Sequence, residues 1–362
     1  MSDLQKELGV VRDEIDSIDG QLLELLNKRA RCAQKVGEIK ARHGEAGFIY
    51  RPEREAQVLR RIQEINPGPL SNENVTWLFR EVMSTCLSLE QPLSVAFLGP
   101  LGSFTGSAAT KHFGHAARLL PQTSIDDVFR EVEAGHAHYA VVPVENSTEG
   151  AVGRSMDLLF ATPLKVCGEV VLRIHQNLMT REASLDKVTK VYSHAQSLAQ
   201  CHEWLNRNLP NVPRISVGSN SQAAEMAMQE EGAAAIAGEA AAERFNVPIL
   251  VANIEDEPNN TTRFLVLGRH DAGVSGRDKT SLIMSAPNRT GSLHGLLLPL
   301  AEAGVSMTRL ESRPARHTLW DYVFFVDIDG HQDEPKVAKA LAELKQQDAY
   351  LKVLGSYPSA VY

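Results

Sequence analysis

The stretch "NNTTRFLVLG" (residues 259–268) joins a polar turn to an apolar run of strand length. Pro258 and the two asparagines are common loop residues before a β-strand, so the local pattern predicts a turn that feeds a buried strand. The same stretch also presents hydroxyls and a guanidinium at the start of that strand. Whether these groups only shape a turn or also meet a ligand depends on the chain around them.

The chain around this stretch alternates short apolar runs with helical segments. This alternation predicts a largely parallel α/β domain. The predicted strands are 94–98, 138–144, 190–192, 214–217, 233–237 and 249–254, and predicted helices between them include 124–134, 196–208 and 221–231.

Polar motifs follow several of these strands, namely "GPLGSFT" (99–105), "PVENSTEG" (143–150) and "SHAQS" (193–197). Ligands of open α/β sheets bind at the carboxyl ends of strands, where helix N-termini present free N–H groups to anions. The glycine-rich motif lacks the lysine of a P-loop and is not GxGxxG, so nucleotide binding is not favoured. Strand–turn–helix corners and ordinary helix caps remain the structural alternatives.

Two further units flank the α/β domain. Residues 3–42 carry a helical apolar stripe without proline, and two shorter helices follow at 53–65 and 72–89. Three helices are too few to bury the long one, so we expect it to dimerise. After the connector "DAGVSGRD" (271–278), the order βαββαβ predicts a ferredoxin-like unit. The predicted domain bounds are 1–91, 92–271 and 279–358.

Composition narrows the class of protein. A net charge of −8 argues against a nucleic-acid binder. No apolar run approaches the roughly 20 residues of a membrane span, and the charged N-terminus does not resemble a signal peptide. The four cysteines show no metal-ligand spacing, so we expect reduced thiols, a cytoplasmic location and no metal or cofactor. They are Cys32, Cys86, Cys167 and Cys201.

The long helix carries three basic residues of interest. Arg29 and Lys40 are eleven positions apart, about three turns, and therefore share nearly one face. Arg12 precedes Arg29 by about 25 Å along the helix axis, so one chain cannot bring all three into one small pocket. An antiparallel dimer of long helices would place Arg12 of one chain beside Arg29 of the other. Three solvated basic residues are the alternative.

Residues 1–90 resemble the helical chorismate mutase domain, and the whole chain resembles the bifunctional chorismate mutase–prephenate dehydratase family. The resemblance implies an intertwined mutase dimer that rearranges chorismate to prephenate without a nucleophile, through conformational restraint and electrostatic stabilisation. It implies that the substrate's carboxylates meet arginines and that a lysine donates to the breaking ether oxygen, with a glutamate accepting from the ring hydroxyl. The implied residues are Arg12 from the partner chain, Arg29 and Arg54 for the carboxylates, Lys40 for the ether oxygen and Glu55 for the hydroxyl.

Three positions depart from the common mutase pattern. Tyr50-Arg51 stands where an aspartate is usual, and Cys86 and Glu90 stand where serine and glutamine are usual. An ionised Glu90 would repel the ether oxygen. We therefore expect a protonated Glu90 with a pKa above the ordinary value of about 4.3.

The motifs "GPLGSFT", "PVENSTEG", "YSHAQ" (192–196) and "TTRF" (261–264) resemble the signatures of prephenate dehydratases. The resemblance implies two α/β lobes around a cleft, as in type 2 periplasmic binding proteins. Loss of CO₂ and of the ring hydroxyl calls for a donor at the departing oxygen and an anchor for the other carboxylate. The implied residues are Thr262 as the essential hydroxyl, Arg263 as the carboxylate partner, Asn146, Ser193 and Gln196 as cleft groups, and Ser103, Thr105, Glu145 and Ser147 as secondary candidates. His194, Asn259 and Asn260 are interpreted as structural.

Residues 279–358 resemble an ACT regulatory domain through "GSLHGLL" (291–297) and "ESRP" (311–314). The resemblance implies that L-phenylalanine binds at a subunit interface and inhibits the dehydratase. The implied residues are Asn288, Gly291, Ser292, Leu293, Glu311, Ser312 and Arg313. A helix start and a strand end are the structural alternatives for these two motifs.

The resemblance therefore implies a homo-oligomeric enzyme of phenylalanine biosynthesis with three domains. These are an all-α mutase domain, a two-lobed α/β dehydratase domain and an α+β ferredoxin-like ACT domain. A ligand sensor without turnover, and a helical unit that only dimerises, are the alternatives.

Overall fold

The computed structural model describes residues 3–43, 50–287, 289–314, 322–347 and 349–361. Within them the chain forms three consecutive units, and the predicted fold class is confirmed in each. Asn288, predicted to contact phenylalanine, lies outside the described residues.

The N-terminal unit consists of α1 (Asp3–Arg42), α2 (Pro52–Ile65) and α3 (Asn72–Ser88). Pro52 begins α2, where a missing N–H costs no intrahelical hydrogen bond, and Ser71 caps α3 by accepting from the Asn74 N–H. Helix α1 contacts α3, yet none of its residues is buried. Its apolar stripe is exposed in the single chain, at Leu4, Leu8, Val11, Ile15, Ile18, Leu22, Leu25 and Leu26.

The middle unit has two mixed sheets, one in each of two lobes. The first lobe has the strand order β2-β1-β3-β11-β5, with β4 paired to β3, and the second has the order β10-β6-β9-β7-β8. In chain order the elements are β1 (Ser94–Leu98), α4 (Phe104–Phe113), β2 (Arg118–Gln122), α5 (Ile125–Glu133), β3 (Tyr139–Asn146), β4 (Gly150–Ala151), α6 (Gly153–Ala161), β5 (Lys165–Arg173), β6 (Asn177–Thr180), β7 (Lys190–Ser193), α7 (Ala195–Gln200), α8 (His202–Asn208), β8 (Arg214–Ser216), α9 (Asn220–Gln229), β9 (Ala233–Ala237), α10 (Glu239–Phe245), β10 (Ile249–Val251) and β11 (Thr261–Gly268).

The chain crosses between the lobes twice, through residues 174–176 and 252–260. The two crossings are hydrogen-bonded to each other, from the Ile174 N–H to the Asn260 carbonyl (2.8 Å) and from the Ile254 N–H to the Gln176 carbonyl (2.7 Å). Strand β11 enters the first lobe at the edge where β3 and β5 end, so it runs antiparallel to both. The prediction of a largely parallel domain is wrong in this respect, because the returning chain has to start at the cleft.

The C-terminal unit confirms the predicted βαββαβ order. Its antiparallel sheet has the order β13-β14-β12-β15. Helices cover one face, and the other face shares a hydrophobic core with the first lobe through residues such as Ile283, Phe325 and Tyr357. The elements are β12 (Asp278–Ser285), α11 (Ser292–Glu302), β13 (Met307–Pro314), β14 (Tyr322–Asp329), α12 (Pro335–Gln346) and β15 (Tyr350–Pro358).

Helix α1 is longer than a bilayer is thick, but it is strongly charged. Among the described residues no helix has both the length and the apolar character needed to cross a membrane.

Candidate active sites

A basic pocket of about 290 Å³ lies between the three helices of the N-terminal unit. It brings together six of the seven side chains that the sequence predicted for a mutase site. They are Arg29, Lys40, Arg54, Glu55, Cys86 and Glu90. These side chains thus combine three cationic groups with two carboxyl groups, which suits a substrate with carboxylates and ether or hydroxyl oxygens.

Arg12 is the seventh predicted residue, and the structure does not bring it to this pocket. Its side chain is exposed in the N-terminal half of α1, about 25 Å along the helix from Arg29. The position agrees with the expectation that Arg12 serves a second chain.

Glu90 lies just after the end of α3 and packs over Gly37 of α1. A Cβ at Gly37 would lie 3.1 Å from Glu90 Cγ, so the glycine makes room for this carboxyl. Glu90 Oε2 is buried and has no hydrogen-bond partner among the described residues. Burial raises the pKa of Glu90, and the nearby Lys40 opposes the shift only in part. The direction is the one predicted from the sequence.

Glu55 titrates near neutral pH. Burial raises its pKa to about 7, against the lowering effect of Arg80. Arg80 Nε lies 3.5 Å from Glu55 Oε1 and holds the carboxyl at the pocket wall. In either protonation state Glu55 has an oxygen that can accept a hydrogen bond from a hydroxyl.

Tyr50, at the position that sequence reasoning left unassigned, ties the helical unit to the first lobe. Its hydroxyl lies 3.0 Å from His112 Nε2, and its ring packs against Phe113 and Tyr139. Burial lowers the pKa of His112 to about 3, so the imidazole is neutral. Its Nε2 can therefore accept a hydrogen bond from the Tyr50 hydroxyl. Tyr50 therefore forms an interdomain contact and also lines the basic pocket.

The second site lies where β3 and β11 meet at the cleft. Asn146 and Thr262 are register partners on these strands. The Asn146 Nδ2 donates to Thr262 Oγ1 (2.8 Å) and to Asn260 Oδ1 (2.8 Å). Because the threonine oxygen already accepts a hydrogen bond, its own proton is available, and it has no acceptor within the described part of the chain. Thr262 is therefore a ready donor for a bound molecule.

Asn260 contacts Asn146 beside Thr262, which the sequence pattern does not predict. The sequence pattern indicates a turn residue, but Asn260 is only 1% exposed and its side chain contacts Asn146 directly. The available signal was spacing, because residues two apart on an extended chain share a face and Asn260 precedes Thr262 by two.

By the same alternation, Arg263 lies on the opposite face of β11. Its guanidinium donates to Glu169 Oε2 (2.9 Å), Asp327 Oδ2 (2.5 Å) and the Tyr357 hydroxyl (2.9 Å). Burial alone would lower the pKa of Arg263, but Tyr357, Asp327 and Glu169 together raise it. Arg263 thus joins the first lobe to the C-terminal sheet, and the structure does not place it in the cleft as a carboxylate anchor.

Glu145, a secondary candidate for the cleft, also lies on the other face of its strand. It is the register partner of Arg263 on β3, so it also lies on the face away from Thr262. Its carboxylate lies 2.7 Å from Arg309 Nε on β13.

The other predicted cleft residues divide into structural and accessible ones. The Ser193 hydroxyl is fully buried, 2.7 Å from the Ile236 carbonyl and 2.9 Å from Asn220 Oδ1, so it is not presented to a ligand. Ser103 caps α4 by accepting from the Gly106 N–H (3.2 Å), and Thr105 in the same helix is buried. Gln196 is exposed in the first turn of α7.

Ser147 and His194 have local roles. The Ser147 Oγ accepts from the Thr261 N–H (2.9 Å) and positions the start of β11. His194 caps α7 through its ring nitrogen and is exposed, in agreement with its structural interpretation.

The two predicted phenylalanine motifs lie on α11 and on the edge strand β13. Gly291 has a φ of 83°, a left-handed value that favours glycine, and Ser292 donates to the Pro287 carbonyl (2.6 Å). Leu293 is partly exposed. On β13, Glu311 and Ser312 precede Arg313, whose guanidinium donates to the Gly153 carbonyl of the first lobe (2.6 Å).

Three family models match the chain in this order: chorismate mutase type II over residues 11–91, prephenate dehydratase over 95–272 and the ACT domain over 280–346. A bifunctional chorismate mutase/prephenate dehydratase of Neisseria gonorrhoeae is 54% identical over 97% of this chain and 96% of its own length. The chain belongs to the bifunctional chorismate mutase/prephenate dehydratase family. A Pseudomonas aeruginosa member is 51% identical over 99% of both chains.

The basic pocket is therefore the pocket of the chorismate mutase domain, and the Thr262 site lies in the prephenate dehydratase domain. A solved prephenate dehydratase from Arthrobacter aurescens, in complex with L-Phe, has a TM-score of 0.68 and 32% identity, covering 74% of this chain and 90% of that one.

Proposed function

We propose that this enzyme converts chorismate to prephenate in the helical pocket and prephenate to phenylpyruvate in the cleft, under inhibition by L-phenylalanine. The observation that carries the dehydratase assignment is the Thr262 hydroxyl, which accepts from Asn146 and keeps its own proton for a ligand. Purified protein should form first prephenate and then phenylpyruvate from chorismate. Added L-phenylalanine should reduce the second product, and formation of neither product would refute the proposal.

In the mutase pocket, Arg29, Arg54 and the partner's Arg12 would hold the two carboxylates of chorismate. Lys40 and a protonated Glu90 would donate to the ether oxygen as its bond to the ring breaks and negative charge develops there. Glu55 would accept from the ring hydroxyl. The reaction requires no covalent intermediate, so rigid placement of charges in a partly desolvated pocket supplies the catalysis.

The raised pKa of Glu90 predicts the pH dependence of the mutase. Only the protonated carboxyl donates, so mutase kcat should fall as the pH rises through the pKa of Glu90. Glu90→Gln, a neutral donor at every pH, should flatten this fall, and the measurement is the kcat profile for chorismate loss in both proteins. Glu55 also titrates in this pocket, so the difference between the two profiles isolates Glu90. A wild-type profile without a fall would contradict the assignment.

We also propose a homodimer built on the long helices. The N-terminal half of α1 leaves its large apolar side chains exposed within one chain, and a solitary helix of this kind is not stable in water. A second copy placed antiparallel would cover the stripe and deliver Arg12 to the other chain's pocket. A dimer is the smallest assembly that completes the site.

Mixed dimers test the exchange of Arg12. Arg12→Ala and Arg29→Ala should each remove most mutase activity alone. After refolding together in equal amounts, half the dimers are mixed and each carries one intact site, so about one quarter of wild-type mutase turnover should return. Each variant refolded alone is the control. No recovery on mixing would place Arg12 outside the partner's site.

In the cleft, Thr262 would donate a hydrogen bond to the ring hydroxyl of prephenate as it departs. The electron pair of the bond to the ring carboxylate moves into the ring, CO₂ leaves, and the departing oxygen takes up a proton to become water. A threonine hydroxyl is a weak acid, so we assign it hydrogen-bond stabilisation of the leaving oxygen.

Regulation by L-phenylalanine is supported by the L-Phe complex of the related dehydratase. In this chain the C-terminal sheet touches the strand that carries Thr262, through Arg263 and its partners Asp327 and Tyr357. The free edge of β13 and the start of α11 are available for a subunit contact. A ligand that favours one arrangement of this sheet would shift the position of β11. The four free cysteines support the expected cytoplasmic location.

A further inference from the structure

Asn260 carries a buried amide donor without a described acceptor. Its Oδ1 accepts from Asn146, whereas its Nδ2 has no hydrogen-bond partner among the described residues. Leaving a buried donor unmet is unfavourable, so such a group in a native site normally meets a ligand or water.

The orientation of this amide follows from its neighbours. Asn146 Oδ1 accepts from the Thr148 N–H (3.0 Å), the Thr148 hydroxyl (2.6 Å) and the Glu149 N–H (3.2 Å), so the oxygen of Asn146 must lie on that side. Its Nδ2 therefore faces Asn260. If the Asn260 amide were flipped, its Nδ2 would face the Nδ2 of Asn146, and two donors would meet without an acceptor. The observed orientation is therefore the favourable one.

The free amide lies close to Thr262. Both Thr262 Oγ1 and Asn260 Oδ1 lie 2.8 Å from the same nitrogen of Asn146. Because the two amide hydrogens diverge by about 120°, the two acceptors lie roughly 5 Å apart. Asn260 Nδ2 is bonded to the same carbon as this Oδ1, so one small molecule can contact both the Asn260 amide and the Thr262 hydroxyl.

We propose that Asn260 Nδ2 binds a carboxylate oxygen of the dehydratase substrate while Thr262 serves its departing hydroxyl; this rests on the proposed function. A dianionic substrate needs a fixed donor for the carboxylate that it keeps. Arg263 was the expected donor, but it faces the C-terminal sheet. The neutral Asn260 amide would contact the carboxylate that the substrate keeps. Because it carries no charge, it would not strongly attract the other carboxylate, which must leave.

Asn260→Asp separates substrate binding from a structural role. The aspartate keeps an oxygen that accepts from Asn146, loses the amide donor and adds one negative charge. We expect a rise of at least tenfold in KM for prephenate with kcat changed less, because the contact exists in both the bound substrate and the transition state. Asn260→Ser, a neutral change with a shorter donor, should give a smaller rise in KM.

Asn259→Asp is the matched control, because it adds the same charge to the neighbouring, exposed side chain. It should retain the wild-type KM. Mutase turnover of each variant, measured on the same sample, reports that the chain is folded. If Asn260→Asp and Asn260→Ser both keep the wild-type KM, or lose only kcat, Asn260 does not bind substrate. An inactive wild-type dehydratase would instead refute the proposed function.

Discussion

Thr262→Val should lower the kcat for phenylpyruvate formation by about 10²–10³-fold and leave chorismate conversion to prephenate unchanged. Valine matches threonine in shape, so the variant removes the hydroxyl and little else. The expected size is that of removing one hydrogen-bond donor to an oxygen that gains negative charge in the transition state. The measurement follows prephenate and phenylpyruvate separately in one reaction, with chorismate as the starting material.

Thr261→Val is the control for this experiment. The preceding threonine starts the same strand, but its hydroxyl donates to the Asn259 carbonyl (3.0 Å) and points away from Asn146. Replacing Thr261 should change the kcat for phenylpyruvate formation less than threefold, which corresponds to about 0.6 kcal/mol in activation free energy. A Thr262→Val protein with wild-type phenylpyruvate turnover would remove this residue from the site.

Arg263→Leu lowers the free energy of unfolding of the intact protein by about 3–5 kcal/mol, the usual effect of removing one partner from a buried ion pair. The guanidinium is only 14% exposed and is shared by Glu169 and Asp327, so its loss leaves two carboxylates with fewer partners. Lys279 remains 2.8 Å from Glu169 and limits the damage on that side. Urea and thermal unfolding of the full chain measure the change.

The double variant Arg263→Leu with Asp327→Asn tests whether this pair couples the two domains. If it does, the double variant is less destabilised than the sum of the two single variants, because the second change removes a charge that the first left unpaired. Additive losses would exclude the coupling. If instead Arg263→Leu is as stable as the wild type but shows a raised KM for prephenate, the guanidinium binds substrate, as the sequence resemblance first implied.

Particular residues show how far the sequence could be interpreted. The charge and spacing of Arg29 and Lys40 predicted a shared face, and the structure places both in one pocket. The stripe on α1 predicted a missing partner, and the single chain leaves that stripe exposed. Both predictions depend on helical periodicity, which is a local property of the chain.

Arg263 and Asn260 show where the sequence was insufficient. Both lie beside Thr262 in one motif, and residue type favoured the arginine as the ligand-binding group. Asn260 lies just before β11, and its side chain is on the opposite side of the chain from that of Arg263. Only the packing of the C-terminal sheet shows that the Arg263 side is covered. Composition could not supply that information.

By itself the sequence determined three units, their order, the amphipathic long helix and the polar motifs at the strand ends, because these depend on local periodicity and residue chemistry. Only the tertiary structure decided that β11 returns antiparallel from the second lobe, that Arg263 serves a domain contact and that burial raises the pKa values of Glu55 and Glu90. Those features depend on which distant surfaces meet, since solvent exclusion and pairing across strands arise from contacts between segments far apart in the chain.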